Sequence, residues 1–361
     1  MLSRLPGPVR SLILAASRRH NSTHVSTRGS DPLRILFCGS DAFSIASLRA
    51  LANAKHHVPG LIDSIDVVHR PAKPTGRGLK TLREVPIKQI AASELNLPTH
   101  AIDTFTGWTP PVPVDLIVAV SFGLFVPPRI LNCAKYGGLN VHPSLLPDLR
   151  GPAPIEHAIL KKRARTGVSI QTLHPMHFDQ GTVLAQTPAP GVQVPRDTKK
   201  TVLEEQLART GAEMLVDVLS TYKYVPPLKD VGWYADSSEP IGHAPKITKQ
   251  DRFIDFGDIA LEDIQSIQNA LGNSWCILPN GDRLILHKVA DTGRIDSLAR
   301  EPGIWVQKGY DYPLFRAACG RIGAILESTY AGSKAGQGNA KLLRIFPPQE
   351  GGADDTFDLS S

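Results

Sequence analysis

The sequence predicts an open parallel α/β sheet followed by a smaller β-barrel. Short apolar runs recur up to about Ser220 with helical patterns between them, as in a sheet with covered faces. After about Tyr224 the pattern changes to brief β-like runs separated by glycine-marked turns, as in a small barrel. A length of 361 residues suits two domains with extensions.

Leu33–Gly39 is an apolar run that ends in glycine, and Ser40-Asp41 follow it. Phe43, Ile45, Ala46, Leu48 and Leu51 then carry a helical pattern, so this is the first strand, turn and helix. Ile65–Val68 reads as a second strand and Pro86–Glu94 as a helix. Asp115–Val120 is the clearest buried strand. Gly138–Val141 is a short further one, and Gly167–Leu173 alternates well enough for another. Thr201-Val202-Leu203-Glu204 reads as a capping box. It opens a helix that turns Leu203, Leu207, Met214, Leu215, Val218 and Leu219 inward.

Pro226, Pro227, Trp233 and Tyr234 mark an irregular bridge between two lobes. A helix over Leu261–Leu271 precedes the β-like runs Leu284–Val289, Gly303–Gln307, Leu314–Ala318, Gly323–Ser328 and Leu342–Phe346. The expected division is 31–224 for the α/β domain, 225–245 for a linker, 246–349 for the barrel-like domain and 350–361 for a disordered acidic tail.

The formal charge of +6 invites a nucleic-acid reading, but the charge is unevenly placed. Residues 1–30 hold five arginines (Arg4, Arg10, Arg18, Arg19 and Arg28), six serines and no acid. Drawn as a helix, Val9, Leu12, Ile13 and Ala16 share one face and Arg10, Ser17 and Arg18 the other. That describes a mitochondrial or plastid presequence, with a disordered basic tail as the competing reading, and its removal leaves a nearly neutral protein. No apolar run approaches the ~18 residues of a membrane span, so no membrane association is expected. Cys38, Cys133, Cys276 and Cys319 are far apart with no CxxC, which suits a reducing compartment and argues against a structural zinc site.

The chemistry concentrates just past a predicted strand, in Asn140-Val141-His142-Pro143-Ser144-Leu145-Leu146-Pro147. Ligand sites of open parallel sheets gather at such strand ends. Alternation points Asn140 and His142 to one side. An amide and an imidazole together can stabilise a developing oxyanion, and a histidine can move a proton near neutral pH. The pair alone equally describes a core histidine beside a hydrogen-bonded amide. Phe178-Asp179-Gln180-Gly181 follows the next strand; its carboxylate can orient the imidazole, or it is simply a turn. The Gly39-Ser40-Asp41 turn lacks GxGxxG, so no nicotinamide dinucleotide site is expected, and no Walker A motif or nucleophile elbow appears. His174 and His177 flank Asp179 without a persuasive metal-ligand spacing.

Taken together, Asn140–Pro147, Arg150-Gly151-Pro152-Ala153-Pro154-Ile155 and Asp179-Gln180-Gly181 resemble the active-site signature of the formyltransferases that use 10-formyltetrahydrofolate. Arg70-Pro71-Ala72-Lys73-Pro74-Thr75-Gly76-Arg77-Gly78-Leu79-Lys80 resembles the basic loop of the methionyl-tRNA formyltransferase family, and His243-Ala244-Pro245-Lys246-Ile247 is similar to the element opening that family's second domain. The match runs from about Leu33 to Leu286. Asp148 departs from the family, where a basic or neutral residue is common.

The resemblance implies a Rossmann-like formyltransferase domain over 31–224 and an OB-like, tRNA-associated domain over 246–349. It makes Asn140, His142 and Asp179 catalytic. It places the folate donor on Ser144, Leu145, Leu146, Pro147, Phe122, Gly123 and Leu124, and the tRNA on Arg70, Lys73, Arg77 and Lys80. The expected acceptor is initiator methionyl-tRNA in the mitochondrial matrix, the expected protein a monomer, and the reaction needs no metal. From Ile241 onward 13 Lys and Arg face 15 Asp and Glu, so the second lobe is not basic. A formyltransferase for a purine-pathway ribonucleotide or an amino-sugar nucleotide shares the three catalytic residues but does not need the basic loop. A non-catalytic tRNA-binding protein has no use for the three residues together.

Overall fold

Leu33, Ile35 and Phe37 of the first strand enter one apolar cluster, while Leu36 and Cys38 enter another. This strand is therefore covered on both faces, which is why Ile35–Cys38 is a continuous apolar run rather than an alternating one. The computed structural model describes residues 31–349 apart from 77, 79 and 297. The expected presequence (1–30) and acidic tail (350–361) lie outside the described residues.

Along the chain come β1 (Leu33–Gly39), α1 (Ala42–His57), β2 (Ile62–His69), a hairpin of β3 (Lys73–Thr75) and β4 (Thr81–Arg83), α2 (Pro86–Gln89) and β5 (Thr99–Ala101). There follow β6 (Leu116–Val120), α3 (Pro128–Leu131), β7 (Gly138–His142), α4 (Pro154–Leu160), β8 (Arg165–Thr166), β9 (Ser169–Thr172), β10 (Val183–Gln186), β11 (Val192–Gln193) and α5 (Lys200–Ser220). The main sheet has the order β10-β9-β7-β6-β1-β2-β5. Its five strands β7, β6, β1, β2 and β5 are parallel. Helices α1 and α5 cover one face through Phe43, Leu48, Leu51, Leu203, Leu207 and Leu215.

Two expectations for this half change. β9 runs antiparallel to both β7 and β10, so the sheet is mixed at this edge rather than parallel throughout. α5 begins at Lys200, with Thr201 already inside it and no side chain capping its start, so the expected capping box does not form. Instead, α1 is the capped helix: Asp41 Oδ1 accepts from Ser44 N at 3.0 Å. The helix expected over Pro86–Glu94 is present, with its second part, Ile90–Glu94, wound as a π-helix.

The bridge between the lobes is held rather than loose. Val231 N donates to Val183 O (2.9 Å), Trp233 Nε1 to Thr187 O (2.8 Å) and Tyr234 N to Gln186 Oε1 (3.0 Å). Beyond it lie α6 (Leu261–Leu271), β12 (Ser274–Ile277), β13 (Arg283–Ile295), β14 (Gly303–Trp305), β15 (Leu314–Arg316), β16 (Arg321–Tyr330) and α7 (Gly338–Ile345). The five strands form an antiparallel half-barrel in the order β12-β13-β16-β15-β14 around Leu284, Leu286, Phe315 and Ile325. Leu342–Phe346, expected as a strand, belongs mostly to helix α7, with Gly338 and Leu342 buried one turn apart. Short apolar runs do not distinguish these two states by periodicity. Among the described residues, no helix is long and apolar enough to cross a membrane.

Candidate active site

Parallel pairing sets Asn140 of β7 opposite Ala119 of β6, and antiparallel pairing sets it opposite Gln171 of β9. The amide is held from both sides. Its Nδ2 donates to Ala119 O at 2.9 Å and its Oδ1 accepts from Gln171 Nε2 at 3.1 Å. The second hydrogen on Nδ2 remains for another acceptor. His142, two residues on, is buried and shares the same cleft. Its Nε2 lies 3.0 Å from Leu149 O. A carbonyl only accepts, so Nε2 carries hydrogen. The opposite nitrogen, Nδ1, lies 3.4 Å from Asp179 Oδ1.

Asp179 comes from the loop between β9 and β10, which folds back over Gln171. Gln171 Nε2 also donates to Asp179 Oδ1 (3.1 Å), Gly151 N to Asp179 Oδ2 (2.9 Å) and Arg150 Nε to Asp179 O (2.8 Å). Asp179 has φ +54, a left-handed backbone that Asp tolerates better than most residues. Gly181 completes the turn by donating its N–H to Gln171 Oε1 (3.1 Å). No larger residue fits there, since a Cβ would lie 1.7 Å from Thr172 O.

These groups line a cleft of about 660 Å³ outside the strand ends. One wall is apolar and aromatic: Phe122, Leu124, Phe125 and Phe178, the last two edge-to-face at 5.1 Å. His174 and His177 stack at 5.3 Å on the same wall. Another wall is charged, with Asp41, Glu156, Lys200 and Glu204. Lys200 Nζ pairs with Glu156 Oε1 at 2.8 Å. Burial pushes the Asp41 carboxyl up, against the hydrogen bonds from Ser44 and Ser121. Burial also raises Glu204, with Lys200 opposing and the neighbouring carboxylates adding. Burial acts to lower Lys200, but Glu156, Glu204 and Asp41 outweigh it and raise the ammonium above its usual value.

Asn140, His142 and Asp179 are thus brought together as the sequence suggested, and Phe122, Gly123 and Leu124 line the same cleft. Ser144, Leu145 and Leu146 do not line it. They are buried beneath the loop, where Ser144 Oγ donates to Asp148 O (2.6 Å) and Leu146 N to Ser169 Oγ (3.0 Å). Pro147 is half-buried and also absent from the lining, while Pro143 is present. The basic stretch is a hairpin rather than a loose loop, with Lys73 and Lys80 exposed. Arg70 is half-buried, 3.4 Å from Asp103 Oδ1, and Arg77 lies outside the described residues. The sequence motifs pass over Gln171, although a long amide in the middle of the alternating segment Gly167–Leu173 is a visible signal.

An amide, an imidazole and a carboxylate joined at the strand ends of an open sheet can together stabilise a developing oxyanion and move a proton. Residues 33–219 match the family model described as formyl transferase. Over 207 residues the chain is 35% identical to "Methionyl-tRNA formyltransferase" of Ehrlichia chaffeensis, covering 55% of this chain and 63% of that protein. Over 248 residues it is 36% identical to "Methionyl-tRNA formyltransferase, mitochondrial" of Bos taurus, covering 68% of this chain and 58% of the relative. The chain therefore spans about three-fifths of the length of these relatives. HypX from Aquifex aeolicus, solved with tetrahydrofolic acid, shares the fold at a TM-score of 0.54 and 14% identity, covering 90% of this chain and 50% of that one. The chain belongs to the formyl transferase family.

Proposed function

We propose that this protein transfers the formyl group of 10-formyltetrahydrofolate to the α-amine of initiator methionyl-tRNA in the mitochondrial matrix. The observation that carries this reading is the Asn140–Gln171–Asp179–His142 network in the cleft of a chain with this family membership. The acid-free, arginine-rich segment 1–30 and the mitochondrial relative support the compartment.

The apolar wall suits the flat ring of a folate: Phe122, Gly123, Leu124 and Pro143 would hold it, in a cleft of adequate size. The donor supplies a formyl group bonded to its N10. The acceptor amine attacks the formyl carbon as the neutral base, a new C–N bond forms, and the bond to N10 breaks. Asn140 offers its second Nδ2 hydrogen to the oxygen that gains charge, and His142 faces the same space. Such donors contribute about 10²–10³ in rate. The proton lost by the attacking amine passes to the departing nitrogen, with His142 and Asp179 as the groups that hold and move it. Positioned proton transfer contributes about 10²–10⁴. No covalent bond to the protein is needed. The β3–β4 hairpin, with Lys73 and Lys80 exposed, is the proposed tRNA contact, since Lys and Arg bind phosphates without reading bases.

The test incubates protein lacking residues 1–30 with 10-formyltetrahydrofolate and either methionyl-tRNA or a methionyl ester without the tRNA body. Formylation that requires the tRNA body supports the reading. Failure to formylate methionyl-tRNA, with turnover of an amino-sugar nucleotide or a ribonucleotide amine instead, rejects it.

A further inference from the structure

The bridge residues Gly242, His243 and Ala244 run beside the loop 149–151 like an added strand. Leu149 N donates to Gly242 O (2.8 Å), and Ala244 N (2.8 Å) and His243 Nδ1 (2.6 Å) both donate to Arg150 O. The same three loop residues hold the catalytic groups from their other side. Leu149 O accepts from His142 Nε2, Arg150 Nε donates to Asp179 O, and Gly151 N donates to Asp179 Oδ2. The two segments touch so closely that a Cβ on Gly151 would lie 2.3 Å from Ala244 O, at a φ of +123 that glycine alone adopts readily.

One buried carboxylate fastens this arrangement. Asp148, 4% exposed, accepts from Gly242 N (2.7 Å) on Oδ1, where Arg163 Nη2 (2.9 Å) also binds, and from Arg163 Nε (3.1 Å) on Oδ2. Arg163 follows α4, so three separate parts of the chain meet at one charge pair. The planar guanidinium fixes the carboxylate in direction as well as place. A buried pair of this kind is weak evidence for stability but a good device for fixing one geometry.

We infer that Asp148, clamped by Arg163, is a positioning residue for formyl transfer. It holds 242–244 against 149–151, and so holds Leu149 O on His142 and Gly151 N on Asp179. The inference rests on the catalytic reading of His142 and Asp179 above. It gives the bridge between the lobes a part in setting the site, and it gives a role to the buried acid at position 148.

The experiment measures kcat and KM with 10-formyltetrahydrofolate and methionyl-tRNA for Arg163→Met, Arg163→Lys, Asp148→Asn, His142→Ala and the Arg163→Met/His142→Ala double variant. Rates are expressed per folded protein, from circular dichroism at the assay temperature. Arg163→Met is expected to lower kcat about tenfold or more while KM for the donor moves less than about threefold. Arg163→Lys should recover part of the loss, because it keeps the charge and one hydrogen bond. In the His142→Ala background the same change should cost less than in wild type, since part of its effect passes through that residue. A folded Arg163→Met with kcat within about twofold of wild type overturns the inference. If Arg163→Met does not fold, Asp148→Asn decides on the same criterion. Should His142→Ala itself keep wild-type kcat, the catalytic reading fails; an impaired His142→Ala beside a normal Arg163→Met sinks the latch alone.

Discussion

Gln171 Nε2 lies 3.1 Å from Asp179 Oδ1, and the same nitrogen lies 3.1 Å from Asn140 Oδ1. One buried amide therefore ties the proposed oxyanion donor to the proposed proton-handling carboxylate. Its Oε1 accepts from Gly181 N, which fixes the amide's orientation: oxygen toward the turn, nitrogen toward Asn140 and Asp179. Gln171→Leu should lower kcat about tenfold or more with KM for folate little changed, since a hydrogen bond to a charged group is lost inside the site. Gln171→Glu should be at least as damaging, because it sets a carboxylate against Asp179. Steady-state kinetics on the two variants check both.

Gly181→Ala should destabilise the protein by about 1–3 kcal/mol and impair activity together. The added methyl meets a backbone oxygen, Thr172 O, rather than the end of a flexible side chain, so the turn carrying Asp179 has to move. Urea unfolding beside the formylation assay reads both effects.

Much of this was legible in the sequence, for reasons tied to particular residues. β1, β6 and β7 are legible nearly to their ends because Leu33–Gly39 and Leu116–Val120 are largely apolar, Gly138–His142 alternates, and glycine, serine or proline closes each. Asn140 and His142 were read as sharing a side because strand alternation requires it. What the sequence hid was pairing. Nothing local distinguishes β9 as antiparallel, and that direction is what sets Gln171 opposite Asn140. Asp148 carried a visible anomaly of charge, but its partners are Arg163 and Gly242, the second 94 residues away. Ser144–Pro147 is expected on the folate, yet Ser144, Leu145 and Leu146 are buried away from the cleft and Pro147 does not line it.

The proposed tRNA contact predicts a salt signature. Replacing Lys73 and Lys80 by Ala, with Arg77→Ala added, should raise KM for methionyl-tRNA and flatten its dependence on salt. Each lost phosphate contact removes about 0.7–0.9 from the log–log slope. Neither the KM for folate nor kcat should change much. Assays from 50 to about 200 mM salt give the slope. An unchanged slope would remove the hairpin from the interface.

Arg34 and Asp115 join the first strand of the sheet to the entry of β6, with Arg34 Nε 2.8 Å from Asp115 Oδ2. Arg34 holds the Asp115 carboxyl below its ordinary range, chiefly by hydrogen bonding, although burial opposes it. A carboxylate with a lowered folded-state value stabilises fully above its unfolded pKa near ~4 and loses that contribution as pH falls through the folded value. Asp115→Asn should therefore cost stability at neutral pH, with the difference from wild type shrinking below about pH 4. Denaturation midpoints of both proteins across the acid range test the sign. A gap that widens in acid contradicts the pairing.

The central claim is that Asn140, His142 and Asp179 act together on a formyl group bound in this cleft. Single-turnover formylation of methionyl-tRNA at saturating 10-formyltetrahydrofolate isolates that step from product release. His142→Ala and Asp179→Asn should each slow it about 10²-fold or more, while donor binding measured by fluorescence titration is largely kept. Single-turnover rates within about threefold of wild type in both variants would contradict the account.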